Sequence, residues 1–193
     1  MRHFLIGVDE AGRGPIAGPV AVGIIVAPKN FDISKAFPGV ADSKKLSKKK
    51  REEIFTLLER RSSKIPSLRY VVIFASAKVI DAKGITYAVQ SSINKGITLL
   101  APEPYGYMVL LDGLLHASPK YRQQTIIGGD VTEPIISLAS IAAKVVRDRL
   151  MEKLAKKYPD YGLEQHKGYG TPKHYEAILK LGLSPVHRRS YCH

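Results

Sequence analysis

Gly7-Val8-Asp9-Glu10-Ala11-Gly12-Arg13-Gly14-Pro15 is the stretch on which the reading of the chain depends. A short apolar run, Phe4-Leu5-Ile6, precedes it, and a second, Val20 to Val26, follows it. Two adjacent acids therefore sit where a buried strand gives way to a glycine and proline turn. A carboxylate taken out of bulk water is disfavoured unless it is paired, protonated or bound to metal. Gly12 and Gly14 flank one cation, Arg13, and glycine lets bare backbone approach a ligand closely. Acids first and exposed backbone second suggests a metal beside a phosphate or a sugar. An ordinary polar turn between two strands explains the same residues, because so short a motif is weak alone.

Residues 3–8 and 18–27 read as two strands, punctuated by Pro15, Pro19 and Pro28, and their short connection makes them antiparallel neighbours. Ser47 is placed to cap a helix reaching about Arg61, with Ile54, Leu57, Leu58 and Arg61 at helical spacing. Lys44, Lys45, Lys48, Lys49, Lys50 and Arg51 crowd its start, where cations oppose the helix dipole. A phosphate-facing surface and a solvated face both account for that run. Tyr70 to Ala75 is a strand, and Ser76 to Leu100 reads as helix in two pieces hinged at Gly84. Met108-Val109-Leu110-Leu111 is a buried-type strand ending in Asp112-Gly113, and Thr125-Ile126-Ile127 is another ending in Gly128-Gly129-Asp130. A long helix is expected from Glu133 to about Lys157, with Pro134 in its first turn. Tyr161 to Thr171 reads as a loop, Thr171-Pro172 as the opening of a last helix through Leu181 stopped by Gly182, and His187 to Tyr191 as a basic, partly mobile tail. The fold class is α/β: a mixed sheet flanked by helices, in one domain over residues 1–193 with a helical C-terminal part.

Thirty Lys and Arg against 17 Asp and Glu give a formal net charge of +13, which favours a polyanionic partner, nucleic acid first. A charge-rich surface tuned for solubility is the plainer account. The single cysteine, Cys192, rules out an intrachain disulfide framework and thiolate zinc clusters, and fits a reducing cytoplasm. No apolar run approaches the ~18 residues of a membrane span, and the N-terminus lacks the apolar core of a signal peptide.

Four acids occupy comparable places: Asp9 and Glu10 after the first strand, Asp112 and Asp130 after later ones. Open α/β sheets bind ligands at such strand ends. Singly, Asp112 or Asp130 reads as a turn residue bonded to its own backbone. Together, and with no Gly-x-Ser-x-Gly elbow, Walker loop or His-Glu-x-x-His present, convergence on a metal is the better account. Hard oxygen donors without His or Cys suit Mg²⁺ or Mn²⁺, and two such ions ~3.5–4 Å apart are an arrangement that cuts phosphodiesters. His166 and His174 read as polar surface or capping groups.

Asp9-Glu10-Ala11-Gly12-Arg13-Gly14-Pro15, Ala17-Gly18-Pro19-Val20 and Asp42-Ser43-Lys44-Lys45-Leu46 resemble ribonuclease HII. So do Leu111-Asp112-Gly113, Ala139-Ser140-Ile141-Ala142-Ala143-Lys144-Val145 with Arg147-Asp148, His166-Lys167-Gly168-Tyr169-Gly170-Thr171, and His187-Arg188-Arg189-Ser190. The resemblance runs from about residue 5 to 190, in order. It implies an RNase H-like fold and cleavage of RNA in RNA–DNA hybrids with Mg²⁺ or Mn²⁺. It also implies incision 5′ of single ribonucleotides embedded in duplex DNA. By the same resemblance Asp9, Glu10, Asp112 and Asp130 are the catalytic metal ligands, and the Gly12-Arg13-Gly14 backbone reads the 2′-hydroxyl. Tyr169 would pack on the sugar beside the cut, and Lys44, Ser140 and Lys144 would contact phosphates. Where the family usually carries Lys-Gly-Asp, this chain has Gly128-Gly129-Asp130. The intact Gly12-Arg13-Gly14, and a first strand with no extension before it, favour type HII over type HIII.

A junction resolvase of similar fold is the first alternative, and it differs in needing no 2′-hydroxyl. A non-catalytic basic RNA-binding protein is the second, and it leaves four strand-end acids unexplained. A monomer is the default, and the sequence leaves open whether the tail touches a replication clamp.

Overall fold

A computed structural model of the chain describes residues 3–42 and 46–192. Five strands form one mixed sheet in the order β3-β2-β1-β4-β5. They are β1 (Phe4–Ala11), β2 (Val20–Pro28), β3 (Arg69–Ala75), β4 (Tyr107–Asp112) and β5 (Gln123–Ile126). β1 and β2 are antiparallel, as their short connection requires, and β2 pairs antiparallel with β3. β1, β4 and β5 run parallel. The helices are α1 (Ile33–Ala36), α2 (Lys48–Ser62), α3 (Ala77–Leu100), α4 (Gly129–Thr132), α5 (Pro134–Lys157), α6 (Leu163–His166) and α7 (Pro172–Leu181).

The helix starts follow from caps. Ser47 accepts from the Lys50 N–H, Ser76 from Val79 and Thr171 from His174, each filling one of the donors a helix start leaves open. α3 breaks at Gly84, whose φ of 80° and ψ of 161° are not helical, so its two pieces meet where expected. Two of the described cations opening α2 are paired. Lys48 pairs with Glu152 of α5 at 2.7 Å and Lys50 with Glu53 at 3.2 Å. Glu152 also holds Lys167 at 2.8 Å, and the two ammonium groups keep its carboxyl down at about 2.

Alternation along the strands divides the core. Ile6 and Val8 of β1, with Val22, Ile24 and Val26 of β2, face α3 through Ala88, Val89, Ile93 and Ile97. Ile25 and Ala27 face α2 and α5 through Phe55, Leu58, Ile136, Ala139 and Ala142. Each Val, Ile, Leu or Phe among them contributes roughly 1.5–3 kcal/mol of burial free energy. Two glycines set the height of α5 over the sheet. A β-carbon at Gly7 would lie 2.4 Å from the Ile135 carbonyl oxygen, and one at Gly23 would lie 2.2 Å from that of Ala139. Only glycine at both positions lets the α5 backbone rest on the strands.

A third layer corrects two expectations. The stretch from Tyr161 to Thr171 is not all loop, because α6 forms within it. Ala17, Met151, Tyr161, Leu163 and Ala177 make a small core there, with Val186 packed on it. The basic tail is folded, with His187 2 % and Arg188 0 % exposed, because main-chain carbonyls of the Gly12–Gly18 region receive the guanidinium. Among the described residues no helix is long and apolar enough to cross a membrane.

Candidate active site

β1 pairs with β4 only as far as Val8 opposite Leu111. Asp9 and Asp112 are the next residues on each strand, so two carboxylates leave neighbouring parallel strands side by side where the sheet opens. On its other edge β1 goes on pairing with β2, Asp9 opposite Gly23 and Glu10 opposite Val22. Asp9 and Glu10 therefore lie inside β1 and not beyond it, because the antiparallel ladder outlasts the parallel one. Successive residues face opposite sides, so Asp9 turns toward α5 and Glu10 toward α3. Ser140, on α5 just beyond the backbone that Gly23 admits, hydrogen-bonds the Asp9 side chain. Glu10 accepts from an Arg13 guanidinium nitrogen at 3.4 Å.

Asp130 is carried by α4 and not by a strand end. β5 stops at Ile126, and Gly128 adopts a left-handed φ of 69° to start α4. That conformation is cheap for glycine and strained for any residue with a β-carbon. The Asp130 N–H donates to Asp112 Oδ1 at 3.1 Å, and the Ser137 hydroxyl donates to the Asp130 carbonyl at 2.8 Å. Asp9 and Asp130 are each 5 % exposed.

Burial pushes the Asp9 carboxyl well above the ordinary carboxylate range; the Glu10 and Asp112 charges add to it and the Ser140 hydroxyl opposes it. Burial likewise raises Glu10, against the pull of Arg13. All four acids line one open cleft of 440 Å³, together with Gly12, Arg51, Ser140, Lys144 and Tyr169. Lys144 is held on the cleft wall by Asp148 at 2.9 Å. A β-carbon at Gly14 would sit 3.9 Å from the Tyr169 ring, which puts that half-exposed ring across from the glycine turn. Lys44 lies outside the described residues. Among the described residues no three His, Cys, Asp or Glu form a ready-made cation cage. The donor chemistry nevertheless fits a hard divalent ion: four carboxylates, with Asp9 and Glu10 disfavoured as anions by burial, and no His or thiolate at the cleft.

Sequence reasoning missed three arginines. Arg51 was one cation in a run, and its place on the cleft depends on the packing of α2 against α5. Arg147 and Arg188 are both fully buried beneath the glycine turn, and a buried arginine reads like a surface one until the fold is known. His174, expected near the surface, is 0 % exposed, and it bonds His187 at 3.1 Å. Packing of α7 against the C-terminal segment encloses both rings.

The ribonuclease HII family model matches residues 6–193. The ribonuclease HII of Endomicrobium trichonymphae is 40 % identical over 185 residues, covering 96 % of this chain and 83 % of the relative. That of Dichelobacter nodosus is 41 % identical over 188 residues, covering 97 % and 94 %. The crystal structure of the ribonuclease H2 from Pyrococcus horikoshii OT3 matches with a TM-score of 0.74 at 28 % identity, covering 97 % of this chain and 93 % of that one. RNase HII from Archaeoglobus fulgidus, solved in complex with PCNA, gives 0.75 at 28 % identity, with the same coverage. These similarities take in the strands, the cleft and the C-terminal layer alike, and the chain belongs to the ribonuclease HII family, nucleases of RNA–DNA hybrids.

Proposed function

We propose that the chain cleaves RNA in RNA–DNA hybrids and also incises 5′ of a single ribonucleotide embedded in duplex DNA, leaving 5′-phosphate and 3′-hydroxyl ends. One observation carries this reading. Asp9 and Asp112 stand one residue past the last paired positions of two parallel strands, in a cleft that a glycine turn also lines.

Asp9, Glu10, Asp112 and Asp130 would hold two Mg²⁺ or Mn²⁺ ions, whose charge offsets the burial and the neighbouring carboxylates that raise Asp9 and Glu10. When bound, such ions supply an activated water and charge stabilisation at the leaving oxygen. The chain's own groups do the rest. Ser140 fixes the rotamer of Asp9 by its hydrogen bond. Gly12, Arg13 and Gly14 offer main-chain groups to the 2′-hydroxyl, the sugar group that separates RNA from DNA. Tyr169 packs on the sugar beside the scissile phosphate and demands ribose before deoxyribose. Arg13, Arg51 and Lys144 bind flanking phosphates, so affinity falls as salt rises.

The test is cleavage of a DNA duplex carrying one ribonucleotide, with Mg²⁺ and with EDTA, beside an all-DNA control. Metal-dependent incision 5′ of the ribonucleotide with the control intact is the expected result. Cutting of a long hybrid but not of this substrate would remove the single-ribonucleotide activity. Cutting of the all-DNA control would favour the resolvase alternative.

A further inference from the structure

The Gly12-Arg13-Gly14 turn rests on a guanidinium from the far end of the chain. Arg188 donates from Nε to the Gly18 carbonyl at 2.9 Å, from Nη1 to the Arg13 carbonyl at 2.7 Å and from Nη2 to the Gly12 carbonyl at 2.6 Å. Arg147 continues the platform, donating from Nε to Pro19 at 2.9 Å and from Nη2 to Ala17 at 3.4 Å. A β-carbon at Gly12 would lie 2.0 Å from Arg147 Nε, so the turn sits directly on this layer. Burial pulls Arg188 down to about 10 and the charge of Arg147 adds to the fall, which leaves it a cation at neutral pH.

The contacts fix which way the turn's peptides face. In a planar trans peptide the C=O and the following N–H point in opposite directions. Drawing the Gly12 and Arg13 carbonyls inward onto Arg188 therefore turns the Arg13 and Gly14 N–H groups outward. A flipped peptide would present a carbonyl in place of an N–H, and the flanking glycines make such a flip cheap. Two donors of one planar fork at the turn, with the third anchored on the Gly18 carbonyl, oppose it in a way a rotatable ammonium could not.

Arg188 is itself held in place. Its own N–H donates to the Ile16 carbonyl at 2.7 Å. The Asp81 carboxylate of α3 accepts from the N–H groups of Arg189 and Ser190, both at 3.0 Å, and from the Ser190 hydroxyl at 2.6 Å. The C-terminal segment is thus tied to α3 on one side and to the glycine turn on the other.

We infer that Arg188 is a positioning residue for ribonucleotide discrimination: by holding the Gly12 and Arg13 carbonyls it aims the Arg13 and Gly14 N–H groups at the 2′-oxygen, and Asp81 anchors it for that task. The inference rests on the reading of this turn as the 2′-hydroxyl contact.

The experiment compares affinity for a duplex with one ribonucleotide against its all-DNA counterpart, in EDTA at fixed salt, for wild type, Arg188→Lys and Asp81→Asn. Melting curves check that each variant is folded. Arg188→Lys keeps the charge and loses the fork, so the ribo-to-deoxy affinity ratio should fall about tenfold, while all-DNA affinity holds. Asp81→Asn, at the surface and away from the cleft, should lower the ratio about threefold. A folded Arg188→Lys that keeps the wild-type ratio overturns the inference alone. If Arg188→Lys does not fold, an unchanged ratio in Asp81→Asn overturns it. A wild-type ratio of one overturns the reading of the turn and the inference with it.

Discussion

Asp112 Oδ1 accepts the backbone N–H of Asp130 at 3.1 Å, so one acid of the cleft also fastens the short helix that carries another. Asp112→Asn keeps an oxygen at that position and loses the charge. Asp112→Ala loses both. The asparagine variant should therefore bind hybrid with nearly wild-type affinity and not cut it. The alanine variant should in addition loosen α4 and weaken binding, with stability lower by about 1–2 kcal/mol. Gel cleavage and urea titration of the two variants separate the effects. Normal cleavage by Asp112→Asn would remove Asp112 from the metal site.

Asp9 is a buried carboxyl beside two others, and burial together with those neighbours disfavours its charge in the metal-free protein. Asp9→Asn preserves an acceptor for Ser140 and for the Glu10 N–H, which bonds Asp9 Oδ1 at 2.7 Å. In EDTA the variant should melt higher by roughly 2–4 °C, the shift that ~1 kcal/mol produces in a domain of this size. Mg²⁺ should raise the melting temperature of wild type and leave that of the variant nearly unchanged. Lower melting of Asp9→Asn in EDTA would show that the carboxylate is not strained.

Tyr169 is 47 % exposed, and its ring faces the glycine turn across the cleft. Its backbone is set by two bonds, its N–H to the His166 carbonyl at 3.0 Å and its carbonyl to His174 Nδ1 at 2.9 Å. Tyr169→Ala removes the ring and leaves that backbone. Cutting at a lone ribonucleotide should fall about tenfold relative to cutting of a long hybrid, the change expected from ~1.4 kcal/mol of lost stacking. An unchanged ratio in steady-state assays would refute the sugar-packing role.

The sheet and the acid cluster were legible because both are written locally. Continuous apolar runs mark β1 and β2, Ser47, Ser76 and Thr171 mark helix starts, and an acid followed by glycine marks the end of β4. The resemblance, not the spacing, singled out Tyr169 and the 2′-hydroxyl role of Gly12 to Gly14. What stayed hidden depends on contacts between distant parts of the chain. Arg188 lies more than 170 positions after the turn it supports, and its neighbour Arg189 has the same letter and a solvent-facing role. Composition cannot tell the two apart. Nothing in the letters at Gly7 and Gly23 shows that the α5 backbone above them leaves no room for a side chain. The sequence alone ends β1 too early, because it shows the acids and not the β2 ladder that carries them.

His174 and His187 share one hydrogen bond inside the C-terminal layer, and their tautomers follow from their other partners. The Ser184 N–H donates to His187 Nδ1 at 3.0 Å, so the His187 proton is on Nε2 and faces His174 Nε2 at 3.1 Å. His174 then carries its proton on Nδ1 and donates to the Tyr169 carbonyl. Both rings are neutral in this arrangement, and protonating either one sets two N–H donors against each other. His166 stacks on His174 with centroids 4.1 Å apart, and its own Nδ1 is taken by the Gly168 N–H. Burial lowers His174 to about 4 and lowers His187 as well. Because the folded values lie below the unfolded one, the unfolded chain takes up protons first on acidification. The stabilisation is thus complete above about pH 6.5 and is lost as pH falls toward 4, by up to roughly 3 kcal/mol for His174. Urea midpoints measured between about pH 7.5 and pH 4.5 should drop steeply for wild type. His174→Asn, which keeps a donor for the Tyr169 carbonyl and cannot titrate, should start lower and show a flatter decline. Equal slopes for the two proteins would mean that other groups carry the acid sensitivity.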